Sequence, residues 1–270
     1  MERRRFDPTD YAGRIAALFT EDRIVGRGRA TEEAAYRIAR GVPWQEAGTP
    51  APSAGNGSAM RAAPVGLFFR DDPEALVAAA HDQGRITHRD PRCSAGAIAV
   101  AGATAIVSRE RPVDAGSLCA TLSRWTRDFD PVLAEALQDL PRWIPSPPRQ
   151  AVEQIRSIGL QPSYTDGWDG ISPFVTSSVL WSLYAVLRSP SDYWEVVCTA
   201  IAVGGDVDTT AAMAGAIAGA AIGLRGIPPR AARLVSDRGA WGHDALVELA
   251  RAPHAAHALR AIDPRQTRSR

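Results

Sequence analysis

The sequence predicts an all-α fold in one large domain, and three observations carry that expectation. Apolar residues recur at three- and four-residue spacing along most of the chain, while sustained apolar/polar alternation is scarce. Ser, Thr or Asp followed by Pro or Glu opens many of these stretches, and Gly or Pro closes them. Long Ala/Gly runs, at 94–106 and 211–221, read as buried helices that pack closely. With 270 residues there is chain enough for a substantial core.

Taken in order, a short amphipathic helix is expected over 10–19, with Ile15, Ala16, Leu18 and Phe19 on its apolar side. Thr31 with Glu32 and Glu33 starts a second helix, which Gly41-Val42-Pro43 stops. Residues 48–58 are polar and rich in Gly, Pro and Ser, and read as a loop. Asp72-Pro73 opens a helix ending near Gly84, with Pro at its first position. Asp90-Pro91 opens another, which is Ala/Gly-rich and therefore buried. Helices follow over 118–125 and 132–140, a Pro-rich surface crossing over 141–148, and a helix over 151–158. Further helices are expected over 173–187, from the Ser191-Asp192 cap to Ile201, and through the small-residue run to Leu224. Pro228-Pro229 starts a short one over 231–235, and two more cover 244–252 and 255–262. Residues 265–270 read as a disordered tail.

Composition narrows the function. A formal net charge of +1 argues against binding nucleic acid by bulk electrostatics. The basic residues are all Arg. Cys93, Cys119 and Cys198 lack metal-type spacing, and three cysteines make no disulfide framework, which fits a reducing cytoplasm. The basic start lacks the apolar core of a signal peptide, and the longest apolar run is too short to span a bilayer. No membrane partner is therefore expected.

Chemistry concentrates in four stretches. In Gly204-Gly205-Asp206-Val207-Asp208-Thr209-Thr210, two acids enter a small-residue helix. An ordinary helix cap explains one Asp. Two acids close together repel unless something neutralises them, and a hard divalent cation binding carboxylate and hydroxyl oxygens would do so. In Ser53-Ala54-Gly55-Asn56-Gly57-Ser58-Ala59-Met60-Arg61, a Gly-Asn-Gly turn runs toward a helix, either as a plain cap or as an anion cradle. The lone His88, in Thr87-His88-Arg89-Asp90, is either structural or ligand-facing. Gly167-Trp168-Asp169-Gly170-Ile171 offers either a core-capping turn or a flat wall for a ring.

Together these stretches resemble the ADP-ribosylglycohydrolase family. The acidic stretch is similar to the family's C-terminal metal motif, usually Gly-Gly-Asp-Thr-Asp-Thr, with Val207 where the family has Thr. The Gly-Asn-Gly stretch resembles its substrate loop, and the Thr-His segment follows at the family's distance. The resemblance implies an orthogonal helical bundle over 1–264, shortened at its N-terminus. Neither the family's opening acidic helices nor its Thr-Asp-Asp-Thr motif is found. It implies metal ligands at Asp206, Asp208 and Thr209, half of a site for two Mg²⁺ ions, with Asp206 and Asp208 catalytic. It implies contacts to ADP-ribose from Gly55, Asn56, Gly57, Ser58, Met60, His88, Gly170 and Ile171. The expected activity is Mg-dependent removal of ADP-ribose from a modified protein side chain or a small conjugate. Two alternatives stand beside it: a nucleotide-binding protein without turnover, and a helical scaffold acting through protein contacts. Apolar surface left exposed by a shortened start would favour a homo-oligomer.

Overall fold

Asp-Pro pairs set the beginnings of four helices in the structure, a computed structural model that describes residues 6–110, 112–160, 167–237, 239 and 241–261. These are α1 (Pro8–Thr20), α5 (Pro73–Arg85), α6 (Pro91–Arg109) and α8 (Pro131–Trp143). In each, the Asp carboxylate accepts a backbone N–H of the first turn, and the Pro removes one N–H that would otherwise lack a partner. Between α1 and α5 lie α2 (Arg29–Ala39), α3 (Trp44–Ala47), a single 3-10 turn at Asn56–Ser58, and α4 (Ala63–Phe68). After α6 come α7 (Ala115–Thr126), then α8, then α9 (Pro148–Ile155). They are followed by α10 (Val175–Arg188), α11 (Tyr193–Ile201) and α12 (Val207–Ile222). The all-α expectation holds: among the described residues the only strands are Ser236–Asp237 and Trp241–Gly242, a two-residue antiparallel pair.

Two helices form the centre of the unit spanning Phe6–Gly226. Along α6 nearly every residue from Cys93 to Val107 is buried, and along α10 every residue from Val175 to Leu187. Glycine lets neighbours approach α6 closely. At Gly66 on α4, an added Cβ would overlap the Ala101 carbonyl oxygen; at Gly102, it would meet Leu122 at 2.7 Å. On α10, Trp181 stacks on Tyr184 with ring centroids 4.9 Å apart. Their polar ends are satisfied too, Trp181 Nε1 donating to the Ala200 carbonyl and the Tyr184 hydroxyl to that of Ser146. Burying such rings contributes about 2–3 kcal/mol apiece. A smaller cluster joins α1 and α2 through Ala12, Ile15, Phe19 and Ala35.

Three local expectations change. Helix α8 runs through Pro141 to Trp143 rather than ending at 140. The proline lies in the last turn, so it costs one hydrogen bond while Leu137 and Leu140 stay packed. Helix α12 is buried on one side only: Met213, Ala214, Ile217 and Ala218 face inward, whereas Asp208, Ala212 and Ala216 are exposed. Alanine is small enough to be tolerated on either side, so its presence does not fix burial. A single α14 (His243–Ala261) replaces the two helices expected near the end.

The second unit, described by itself, starts at Ile227 and holds α13 (Pro229–Arg233), the strand pair and α14. The tail at 265–270 lies outside the described residues. No helix among the described residues is long and apolar enough to cross a membrane.

The close approach of α4 to α6 yields a direct test. Gly66→Ala should lower unfolding stability by about 1–3 kcal/mol, read from the midpoint shift in urea at unchanged slope. An unshifted midpoint would contradict the packing described.

Candidate functional site

The site is assembled by a short extended strap, residues 171–174, that pairs with one loop at each end. At its start Ile171 pairs in parallel with Gly205: the Asp206 N–H donates to the Ile171 carbonyl at 2.7 Å and the Ile171 N–H to the Gly204 carbonyl at 3.3 Å. At its far end Phe174 pairs antiparallel with Gly55: the Asn56 N–H donates to the Pro173 carbonyl at 2.9 Å and the Val175 N–H to the Ala54 carbonyl at 3.0 Å. Gly205 is required here, because its φ is +89° and a Cβ would overlap the Ile171 carbonyl. Gly170, with φ +94°, faces the Val203–Gly204 backbone in the same way.

Through this strap Asn56 and Asp206, distant in sequence, come into contact. Asn56 Nδ2 donates to Asp206 Oδ2 at 2.7 Å and lies 3.3 Å from Ser178 Oγ. Thr209 Oγ1 donates to Asp206 Oδ1 at 2.9 Å. Asp206 occupies the N-cap position of α12 but makes no side-chain capping bond. Its carboxylate is turned across to the opposite loop. Asp208 is exposed and accepts the Thr209 N–H at 3.0 Å. Partial burial raises the Asp206 pKa above the ordinary carboxylate value, and the neighbouring Asp208 raises it further; Asn56 and Thr209 oppose both.

His88 lies beneath the Gly-Asn-Gly turn. Its ring is 3% exposed, and a Cβ on Gly57 would meet His88 Cε1 at 2.8 Å. So Gly57 has no side chain because an imidazole fills that space. Burial pushes the His88 pKa down to about 3, and the nearby Arg61 charge acts in the same direction. The ring is therefore neutral at ordinary pH. Its Nδ1 sits 2.7 Å from Thr87 Oγ1, which in turn accepts from Arg61 Nη2.

The remaining candidates divide by exposure. Ser58 is buried and donates its hydroxyl to the Cys93 carbonyl, and Ile171 is fully buried with its N–H and carbonyl paired to Gly204 and Asp206, so neither expected contact residue faces a ligand directly. Met60 is 45% exposed, Trp168 is 48% exposed, and Gly55, Gly57 and Gly170 are half-buried. The turn expected to lead straight into a helix is one 3-10 turn, and the Asn56 N–H is committed to Pro173. Arg61, Gln83 and Ser178 carry the loop from behind, and nothing in their local sequence marks them. Tyr164, Thr165 and Asp166, the nearest likeness to the family's other acidic motif, lie outside the described residues. Among the described residues no group of three or more His, Cys, Asp or Glu is placed to hold a metal ion. Asp206, Asp208 and Thr209 nevertheless offer two carboxylates and a hydroxyl side by side, a donor set that suits a hard divalent cation.

The family model for ADP-ribosylglycohydrolase matches residues 1–264. This chain belongs to the ADP-ribosylglycohydrolase family. An uncharacterized protein of Archaeoglobus fulgidus is 29% identical over 80% of this chain and 64% of its own length. The ADP-ribosylarginine hydrolase Tri1 of Pseudomonas putida is 27% identical over 83% of this chain and 55% of its own. This family member thus spans 64% and 55% of these two curated relatives. Among solved structures, an ADP-ribosylglycohydrolase-related protein complex matches with TM-score 0.61 and 28% identity, over 86% of this chain and 69% of that one.

The buried neutral imidazole has a pH signature. Its folded pKa of about 3 lies below the ordinary 6.5, so the unfolded state takes up the proton first. Stability from this residue is complete above pH 6.5 and falls toward pH 3, by at most about 1.4 kcal/mol per pH unit. The His88 Cε1 proton resonance should stay flat between about pH 8 and 5. A midpoint near 6.5 would contradict the burial.

Proposed function

We propose that this chain binds ADP-ribose across the Asn56 and Asp206 loops and hydrolyses its bond to a modified side chain, with a divalent cation, Mg²⁺, held by Asp206, Asp208 and Thr209. The observation that carries the reading is the Asp206 carboxylate. It stands at a helix start without capping it, fixed by an Asn from the facing loop, in a chain of the ADP-ribosylglycohydrolase family.

The residues divide the work by chemistry. Asn56 and Thr209 each donate to one oxygen of Asp206 and hold that carboxylate in one orientation, at hydrogen-bond lengths typical of charge-assisted pairs. Asp208 adds a second negative charge on the solvent side, where a cation and the distal ribose can reach it. A divalent cation bound there would supply positive charge for hydroxyl oxygens and water. The backbone of Gly55 and Gly57 flanks the diphosphate. Met60, Gly170 and the exposed Trp168 wall the sugar and base, and Ile171 fixes the acidic loop through its backbone bonds to Gly204 and Asp206. His88 supports the loop from below and, being neutral, leaves the anion site without a titrating cation of its own. Water then takes the anomeric carbon, the glycosyl bond to nitrogen or oxygen breaks, and free ADP-ribose leaves with the acceptor restored. The name of the Pseudomonas relative favours arginine as the acceptor. Three free cysteines, two of them buried, suit a reducing cytoplasm.

Release of free ADP-ribose from an ADP-ribosylated arginine peptide is the assay. Activity should require Mg²⁺, vanish with EDTA, and fall at least about 100-fold in Asp208→Asn, while Tm stays within a few degrees. A folded wild-type chain that neither binds nor releases ADP-ribose would overturn the proposal.

A further inference from the structure

Behind the Gly-Asn-Gly turn sits a cation without an acid. The Arg61 guanidinium is part-buried between the loop and α5, and loss of hydration there holds its pKa below the ordinary value. Its Nη1 donates to the Gly57 carbonyl at 2.8 Å. Its Nε donates to Gln83 Oε1 at 3.0 Å, and its Nη2 to the Gln83 carbonyl at 3.0 Å and to Thr87 Oγ1 at 2.7 Å. Gln83 Nε2 in turn donates to the Ser58 carbonyl at 3.0 Å. The groups acting on the guanidinium charge are the Tyr11 hydroxyl, the Cys93 thiol and neutral His88. None of them is a carboxylate, and none of the ion pairs among the described residues includes Arg61.

This arrangement is costly for a structural clamp. Three carbonyl oxygens and a hydroxyl take four of the five N–H groups but do not neutralise the charge, and an uncompensated cation loses hydration on burial. Glutamine could brace one or two of the same carbonyls at lower cost. What Arg adds is a fixed fork that pulls two successive carbonyls of the turn, Gly57 directly and Ser58 through Gln83, toward the interior. With those carbonyls drawn inward, the opposite face of the turn is left to peptide hydrogens and to the field of a positive charge.

We propose that Arg61 is the positioning residue of the substrate loop and the counter-charge for an anion bound on its outer face, the diphosphate of the ligand. The inference rests on the ADP-ribose reading above and assigns that ligand's charge to one residue. Arg61 does not touch the ligand. It acts through the Gly57 and Ser58 peptides.

The test is calorimetric titration of wild type, Arg61→Gln and Arg61→Lys with ADP-ribose and with adenosine, which lacks the phosphates. Arg61→Gln should weaken ADP-ribose binding at least about tenfold, the size expected for one charge acting across roughly 12 Å at an effective dielectric near 20. Adenosine binding should change less than about twofold, and Arg61→Lys should bind ADP-ribose within about threefold of wild type. If Arg61→Gln does not fold by circular dichroism, the lysine variant decides alone, since it keeps the charge and removes the fork. Equal weakening of both ligands by either folded variant would make Arg61 a structural clamp and overturn the proposal, as would an unchanged ADP-ribose affinity in Arg61→Gln. Absence of ADP-ribose binding by the wild type would instead defeat the parent reading, and this one with it.

Discussion

The hydrogen bond from Asn56 to Asp206 is the contact on which the rest of the site depends. It joins loops 150 residues apart in sequence, so no local preference can form it. Ordering two separate loops costs conformational entropy, roughly 1–2 kcal/mol per fixed residue. The cost is spread over the strap, where four backbone hydrogen bonds from 171–175 and its neighbours tie one loop to the other. The strap is anchored because Val175 begins the buried stretch of α10, and the Gly-Asn-Gly loop because Cys93, at the start of the buried stretch of α6, bonds to the Ser53 and Gly55 carbonyls. Two rigid helices therefore fix three flexible segments at one end of the bundle.

Charge is arranged in opposite senses on the two sides of the turn. Toward solvent, the nearby Asp208 raises the cost of ionising Asp206, which a cation would relieve. Toward the interior, the part-buried Arg61 forms no ion pair among the described residues and His88 is held neutral. An acid placed beneath the loop would have paired with Arg61 and cancelled its field. The structure instead meets the guanidinium with carbonyls and a hydroxyl, satisfying its hydrogen bonds while leaving its charge intact.

Much of this was legible in the chain. Asp72-Pro73 and Asp90-Pro91 are local signals, since the capping carboxylate and the fixed φ of proline act within a few residues, and both helices begin there. The acid pair and the Gly-Asn-Gly turn were visible as motifs, and their joint resemblance to one family put them in a single site. Non-local facts were not visible. That Gly57 is empty for the sake of His88, that Asp206 declines to cap its own helix, and that Arg61 lacks an acid all depend on segments meeting in space. The one-sided burial of α12 was hidden for a related reason, because Ala212 and Ala218 carry the same side chain on opposite sides of the helix.

The coupling between Asn56 and Asp206 is open to direct measurement by a double-mutant cycle of Asn56→Ala and Asp206→Ala, read as unfolding free energy in urea. A hydrogen bond to a partly buried carboxylate predicts a coupling of about 1.5–3 kcal/mol. Single substitutions that simply add, to within about 0.5 kcal/mol, would mean that the two loops are held independently and that the bond does not organise the site.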